Sequence, residues 1–245
     1  MKKVLILGAN SAIARAVARI LAEQGHALYL VGRDPAKLAA TELDLKVRAK
    51  APVFSLASDL TETSRHAELI ATAETKLGGL DTVLIAHGEL GSQLEAQKDV
   101  AATMQILNSN FISQASLLTL LANNFELKKS GTIAVITSVA GDRGRKTNYV
   151  YGTAKGALAI FLSGLRNRLC SSGVSVVDLR LGFVDTPMTS EFKKGPLWAS
   201  PEAVGKAIVH AISRGDDIVY IPWFWRWIML IIRSIPENIF KRLSL

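Results

Sequence analysis

Cysteine is nearly absent: Cys170 is the only one in 245 residues, which excludes an intramolecular disulfide. No Cys or His cluster surrounds it, so the default is a structural thiol in a reducing compartment. His26, His66, His87 and His210 are scattered, and no metal site is visible. The chain also lacks internal repeats and low-complexity linkers. Before residue 220 there is no basic stripe interleaved with aromatics and no nucleic-acid motif. The formal charge of +8 would suit an anionic ligand or an acidic membrane surface, and with no such motif it makes no case for nucleic acid. The apolar run Val4 to Leu7 after Met1-Lys2-Lys3 is too short for a signal peptide and is soon interrupted by Asn10 and Arg15, so a buried first strand is expected.

Hydrophobic residues, at 49% of the chain, are sufficient to bury a sizeable core in one α/β domain. Apolar runs of strand length alternate with helix-length amphipathic stretches: Val4 to Leu7, Leu28 to Val31, Val53 to Leu56, Thr82 to Ala86, Thr132 to Ile136, Val174 to Leu179 and Ile218 to Ile221. That alternation predicts a doubly wound sheet of about seven parallel strands with right-handed crossovers. Helices are expected from the first turn through Glu23, over Thr61 to Leu77, over about Lys98 to Leu127, and from Ser200-Pro201, where serine caps and proline occupies the first turn.

The densest chemistry lies in Tyr151-Gly152-Thr153-Ala154-Lys155. Four residues apart on a helix, the phenol and the ammonium share one face. A free phenol titrates near 10, and a neighbouring cation favours the phenolate and draws that value down. The bland alternative is a tyrosine covering a helix face with a lysine beside it. Tyr149 has Thr153 at its fourth following position, so only Tyr151 qualifies. Ser138 lies thirteen residues upstream, just after the apolar run Thr132 to Ile136, and a hydroxyl at the end of a parallel strand is where ligands bind on open sheets.

A strand-end serine followed by Tyr-x-x-x-Lys resembles the active site of the short-chain dehydrogenase/reductase family. The resemblance covers residues 1–221 and implies a Rossmann-type catalytic domain, with 222–245 as a hydrophobic C-terminal helical extension. It implies an NAD(P)-dependent oxidoreductase in which Tyr151 exchanges the hydroxyl proton, Ser138 orients the substrate oxygen and Lys155 binds the nicotinamide ribose. Asn110-Phe111-Ile112-Ser113 resembles the family's Asn-x-x-Gly, whose asparagine holds a relay water. Asparagine within a helix is otherwise unfavourable, and Asn108 faces elsewhere.

The cofactor residues follow the same order along the chain. The first turn, Gly8-Ala9-Asn10-Ser11-Ala12-Ile13, leads into a helix whose N-terminus favours a pyrophosphate. The family pattern Gly-x-x-x-Gly-x-Gly survives only at Gly8, with alanine at 12 and 14; tight helix-on-strand packing is the alternative reading. Arg33 stands where an acidic residue would bind a ribose 2′-hydroxyl, and arginine suits a 2′-phosphate, so NADP(H) is favoured over NAD(H). Asp34 is either a ribose partner or a turn residue before Pro35. Asp59 and Leu60 match the adenine contact, Asp59 also being placed to cap a helix. Ala86, His87 and Gly88 match a segment that is Asn-Asn-Ala-Gly in the family, with only Gly88 retained. Gly182, Val184 and Thr186 match its Pro-Gly-x-Val-x-Thr, where Leu181 replaces proline and Val184 and Thr186 would hold the nicotinamide. The polar loop Met188 to Ala199 after it would cover the substrate, with Phe192 and Trp198 either in that cover or anchored to the core.

The last stretch, Trp223 to Arg233, is apolar except for Arg226 and Arg233, and a further short helix is expected where Ser234 and Glu237 have capping-box spacing. The run is too short and too polar to span a membrane, which takes about 20 apolar residues. It suits either a membrane interface, with arginines at the headgroups, or a buried subunit interface. In character it is similar to family members that reduce a keto-pentose on a decaprenylphosphoryl carrier. The expected partners are a small-molecule or lipid-linked carbonyl substrate, a peripheral membrane contact and further copies of the chain. The expected location is the cytoplasm, at the inner face of the membrane. The alternative function is a catalytically silent, cofactor-sensing scaffold docking through its tail.

Overall fold

The strand-forming runs are continuous rather than alternating because both faces of the sheet are covered, the signature of a buried parallel sheet. A computed structural model describes residues 1–243, so the last two residues of the 222–245 segment lie outside the described residues. Seven strands, β1 (Lys3–Leu7), β2 (Ala27–Gly32), β3 (Val53–Ala57), β4 (Thr82–Ile85), β5 (Gly131–Ser138), β6 (Val174–Leu181) and β7 (Ile218–Ile221), form one sheet in the order β3-β2-β1-β4-β5-β6-β7. All six pairings are parallel. The order reverses between β1 and β4, and Leu7 pairs with both Val31 and Ile85 there, so a crevice opens beyond the carboxyl ends of these strands.

Along β1 the side chains alternate between two cores. Val4 and Ile6 pack with Val17 and Leu21 of α1 (Ala12–Glu23), Leu38 and Leu45 of α2 (Pro35–Arg48), and a later helix carrying Val204 and Ile208. Leu5 and Leu7 pack with Leu69 and Ile70 of α3 (His66–Leu77) and with helices contributing Leu117, Leu121, Leu158 and Leu162. Those later helices are α5 (Ser113–Lys128), α6 (Tyr149–Leu169) and α7 (Pro201–Arg214); α4 (Val100–Leu107) precedes α5. Caps fix where several begin: Ser11 accepts from Ala14 N, Asp34 from Lys37 N and Ser200 from Ala203 N, each typically worth about 1 kcal/mol. The serine and proline expected at the start of α7 are both in place.

Local departures from the sequence expectations have physical causes. The helix expected over Lys98 to Leu127 is broken by a π turn, Asn108–Ile112, between α4 and α5, a feature often found at functional sites. The helix expected from Thr61 begins at His66, after a single 3-10 turn at Thr63–Arg65. Two-residue strands, Phe183–Val184 and Trp198–Ala199, pair in parallel and tie the loop between them to the strand end, which no periodicity announced. Cys170 is a free, exposed thiol. After β7 the chain forms α8 (Trp225–Ser234) and one further turn, Glu237–Phe240. The capping box is not formed, because the Ser234 hydroxyl donates back to Leu230 O and the Glu237 carboxylate binds Arg143.

Candidate active site

Gly8 ends the first strand at φ +90°, and a Cβ there would stand 2.5 Å from the His87 backbone nitrogen. Glycine thus lets the turns after β1 and β4 close on each other. Ala12 and Ala14 lie inside α1, and Lys129 is the only non-glycine residue with positive φ among those described. The two alanines therefore sit without backbone strain where the family pattern has glycine. The N–H groups of Ala12 and Ile13, in the first turn of α1, have no partner within the helix and present the positive end of its dipole to the crevice. Asn10 faces the next turn instead: its Oδ1 accepts from Asp34 N at 3.1 Å and its Nδ2 donates to Asp34 O at 3.3 Å.

The Asp34 carboxylate caps α2 and pairs with Lys37, as a turn residue before Pro35 would. Arg33 is exposed and makes no hydrogen bond or ion pair with the described residues. Asp59 accepts from Thr61 N at 2.9 Å and from the Thr61 hydroxyl at 2.8 Å; these bonds hold its carboxyl below the usual range, with the Arg33 charge a smaller contribution. It therefore caps a turn that precedes α3 rather than α3 itself.

Leu60 lends its carbonyl to two donors, His66 Nε2 at 2.9 Å and the Ser113 hydroxyl. Since Ser113 spends its proton on Leu60, His87 Nε2, 3.0 Å from Ser113 Oγ, must donate to it. The His87 Nδ1 is buried with no partner among the described residues. Burial and the nearby Lys155 and His66 charges press its pKa down to about 3. Gln114 Nε2 holds the His87 carbonyl at 2.8 Å. Where the family has asparagines, this chain braces the turn after β4 with side chains from α5. Ala86 packs against the core beside it.

Gly88 (φ +153°) is the meeting point of the polar centre: a Cβ there would lie 2.5 Å from Asn110 Oδ1 and 3.6 Å from Lys155 Nζ. Asn110 is fully buried in the π turn. Its Nδ2 donates to Ile106 O at 2.9 Å and Glu89 O at 2.8 Å, and its Oδ1 accepts from Glu89 N at 3.2 Å. Lys155, also buried, donates to Ile136 O at 3.0 Å, and its Nζ lies 5.9 Å from the Tyr151 ring centre. Ser138 closes β5, its Oγ accepting from Ala140 N at 3.1 Å and reaching Leu181 O only weakly at 3.5 Å. Gly141 and Gly152 let the turn after Ser138 pack on α6: a Cβ at either would stand 2.7–2.8 Å from backbone.

The expected lowering of the Tyr151 pKa by Lys155 is absent from this protein-only site. Burial pushes the phenol up to about 12, against a smaller opposing hydrogen bond with Ser138. Burial also brings the Lys155 ammonium down to about 8, with Asp178 opposing. Both groups disfavour charge because the centre is desolvated.

Beyond β6, Gly182 receives the Trp225 indole, whose Nε1 would be 1.9 Å from a Cβ there. Phe183 stacks on Trp198 with ring centres 5.3 Å apart and stands edge-on to Trp225. Trp198 is thereby anchored, whereas Phe192 is exposed. Val184 is buried, and its carbonyl accepts from Thr189 Oγ1 at 2.6 Å; Thr186 starts the following turn.

Two groups escaped sequence reasoning. Arg180 donates to Asp178 at 2.8 Å and to Asp142 at 2.7 Å, and Tyr220 donates to Asp142 at 2.8 Å. Burial alone would lower the arginine's pKa; the two carboxylates raise it instead. This buried network fastens the turn after Ser138 to β6 and β7. A charged pair at alternate positions of the largely apolar β6 was the available signal. The second group is Arg143, which donates to the carbonyls of Ile232 and Ile235 at 2.6 Å each and pairs with Glu237 at 2.9 Å. Its guanidinium lies 3.7 Å from the Phe240 ring centre. No local pattern marks a contact across some ninety positions.

The residues fit a dinucleotide: a helix N-terminus and an unpaired arginine for phosphates, an unpartnered imidazole acceptor, and a buried lysine beside a tyrosine. The short chain dehydrogenase family model matches residues 2–196. An uncharacterized oxidoreductase of Mycobacterium tuberculosis is 35% identical over 240 residues, covering 98% of this chain and 96% of that one. Among solved structures, levodione reductase superposes with a TM-score of 0.82 at 19% identity, covering 89% of this chain and 95% of its own. A variant of actinorhodin polyketide ketoreductase with NADPH gives 0.80 at 18% identity, covering 91% and 97%. The chain belongs to the short-chain dehydrogenase/reductase family and is an NAD(P)-dependent oxidoreductase.

Proposed function

We propose that the chain prefers NADP(H) over NAD(H) and passes hydride between the nicotinamide and the carbonyl or secondary alcohol of a hydrophobic or lipid-linked small molecule. The observation that carries this is the packing of Asn110, Lys155, Tyr151 and Ser138 around Gly88 and the end of β5. The bound cofactor supplies or accepts the hydride; the chain's own groups do the rest. Ser138, fixed by the hydrogen bond it accepts from Ala140 N and reaching Leu181 O only weakly, orients the substrate oxygen beside Tyr151. Tyr151, held protonated by burial, gives its proton to that oxygen in reduction and takes it back in oxidation. Lys155 holds the nicotinamide ribose, and Asn110, locked by three hydrogen bonds, shapes the relay behind it.

Arg33 supports the NADP preference, since it is open to a 2′-phosphate while Asp34 is committed to its cap. Ala12 and Ile13 N–H groups hold the pyrophosphate, Asp59 and Leu60 the adenine, Ala86 to Gly88 the adjoining ribose, and Gly182, Val184 and Thr186 the nicotinamide. The aromatic stack Trp198, Phe183 and Trp225 beside that last segment supports an apolar substrate, which a peripheral membrane contact would deliver to a homo-oligomer. A silent scaffold on this fold has no use for all four polar groups, and no observation favours it. The test is a carbonyl screen with NADPH that includes lipid-linked keto sugars. Any substrate turned over by the native chain should be turned over at least about 100-fold more slowly with Tyr151→Phe; undiminished turnover in that variant would refute the proposed chemistry.

A further inference from the structure

The two faces of α8 differ in their surroundings. Trp225, Ile228, Met229 and Ile232 turn inward, where Trp225 and Met229 are buried against Val139 beside the catalytic serine. Trp227, Leu230 and Ile231 turn outward and are 56%, 54% and 67% exposed, with Trp223 ahead of the helix at 72%. Positions 227, 230 and 231 fall on one helical face. Arg226 and Arg233, seven apart, are exposed along its flank, and Lys241 and Arg242 follow, also exposed. Against these four cations the segment offers one carboxylate, Glu237, which is bound by Arg143.

We infer that this outer face lies in the plane of an anionic lipid surface, with the aromatic and aliphatic side chains among the acyl chains and the arginines at the headgroups. Charge selects this occupant. A second copy of the chain meeting this face about a two-fold axis would oppose arginine to arginine with no free carboxylate to pair them, whereas acidic headgroups complement all four cations. No helix among the described residues is long and apolar enough to cross a membrane, so the contact is interfacial. Because Arg143 ties the carbonyl end of α8 to the turn after Ser138, such a contact sets the substrate side of the site close to the lipid. The docking surface stands whether or not the substrate is itself lipid-linked.

The test is co-sedimentation of the full chain with phosphatidylcholine vesicles, with and without phosphatidylglycerol, alongside analytical ultracentrifugation without lipid. The native chain should bind the phosphatidylglycerol vesicles and bind less as salt is raised. Arg226→Gln and Arg233→Gln should each weaken binding about fivefold, and Trp227→Ser with Ile231→Ser should weaken it at least about tenfold. All variants should keep their sedimentation mass and NADPH affinity, so loss of vesicle binding with intact NADPH binding separates this surface from the oxidoreductase chemistry. Failure of the native chain to bind anionic vesicles would overturn the inference. So would a fall in oligomer mass in the Trp227→Ser, Ile231→Ser variant, which would assign the face to a second copy.

Discussion

The candidate active site and α8 pack against each other and break the inside-out rule in opposite directions. The centre buries a lysine and an asparagine; α8 exposes a tryptophan, a leucine and an isoleucine. Burial of polar groups is tolerable only when they are hydrogen-bonded, and here Ile136 O, Ile106 O and the Glu89 backbone meet that need. No comparable internal solution exists for the outer face of α8, whose apolar side chains lack a partner within the described residues. One anomaly is answered inside the chain and leaves a reactive centre. The other points outward.

The comparison is sharpened most by Tyr151→Phe. Removing one hydroxyl should cut turnover about 100- to 10,000-fold, as for a lost general acid, while calorimetry should find NADPH affinity within about twofold of native. Next is Arg33→Ala, which should reduce the preference for NADPH over NADH about 10- to 100-fold, the worth of charge-assisted contacts to a phosphate, measured as the ratio of dissociation constants. Arg143→Ala strips partners from two carbonyls at once and should destabilise by about 2–4 kcal/mol, lowering the melting temperature by several degrees in a chain of this size. Leu230→Ser on the outer face should by contrast stay within about 0.5 kcal/mol of native, and an equal loss from both would erase the distinction between the faces.

A pH series probes the buried cation. With Lys155 brought down to about 8 by burial, cofactor binding that requires the ammonium should be flat below that pH. Above it, affinity should weaken toward tenfold per pH unit, with net proton uptake on binding. Affinity independent of pH from 7 to 9.5 would mean that the amine binds equally well uncharged. Glu237→Ala should also cost little, under about 1 kcal/mol in a melting experiment, because its carboxylate is largely exposed even while paired.

What could be read from the sequence was what depends on neighbours along the chain. The seven strands were visible because buried parallel strands are unbroken apolar runs, and Tyr151 and Lys155 because a helix converts four positions into one face. Asn110 stood out as a poor helix former inside a helix. The π turn that accommodates it was hidden, since nothing in Asn108 to Ile112 changes the apolar period enough to signal one extra residue per turn. The supports of the site were also hidden. Arg180 reaches Asp142, and Arg143 reaches Ile232 and Ile235, through pairings created only when β5, β6 and α8 come together. The upward shift of Tyr151 was missed for a related reason: sequence shows the nearby lysine but not the burial that outweighs it.

The most direct test of the central claim needs no substrate. Nicotinamide fluorescence is followed while the purified chain is titrated with NADPH and with NADH, in the native form and with Arg33→Ala. NADPH should bind more tightly than NADH, and the arginine substitution should erase most of that difference while leaving NADH affinity nearly unchanged. Binding of neither nucleotide, or an NADPH preference untouched by the loss of Arg33, would contradict the account.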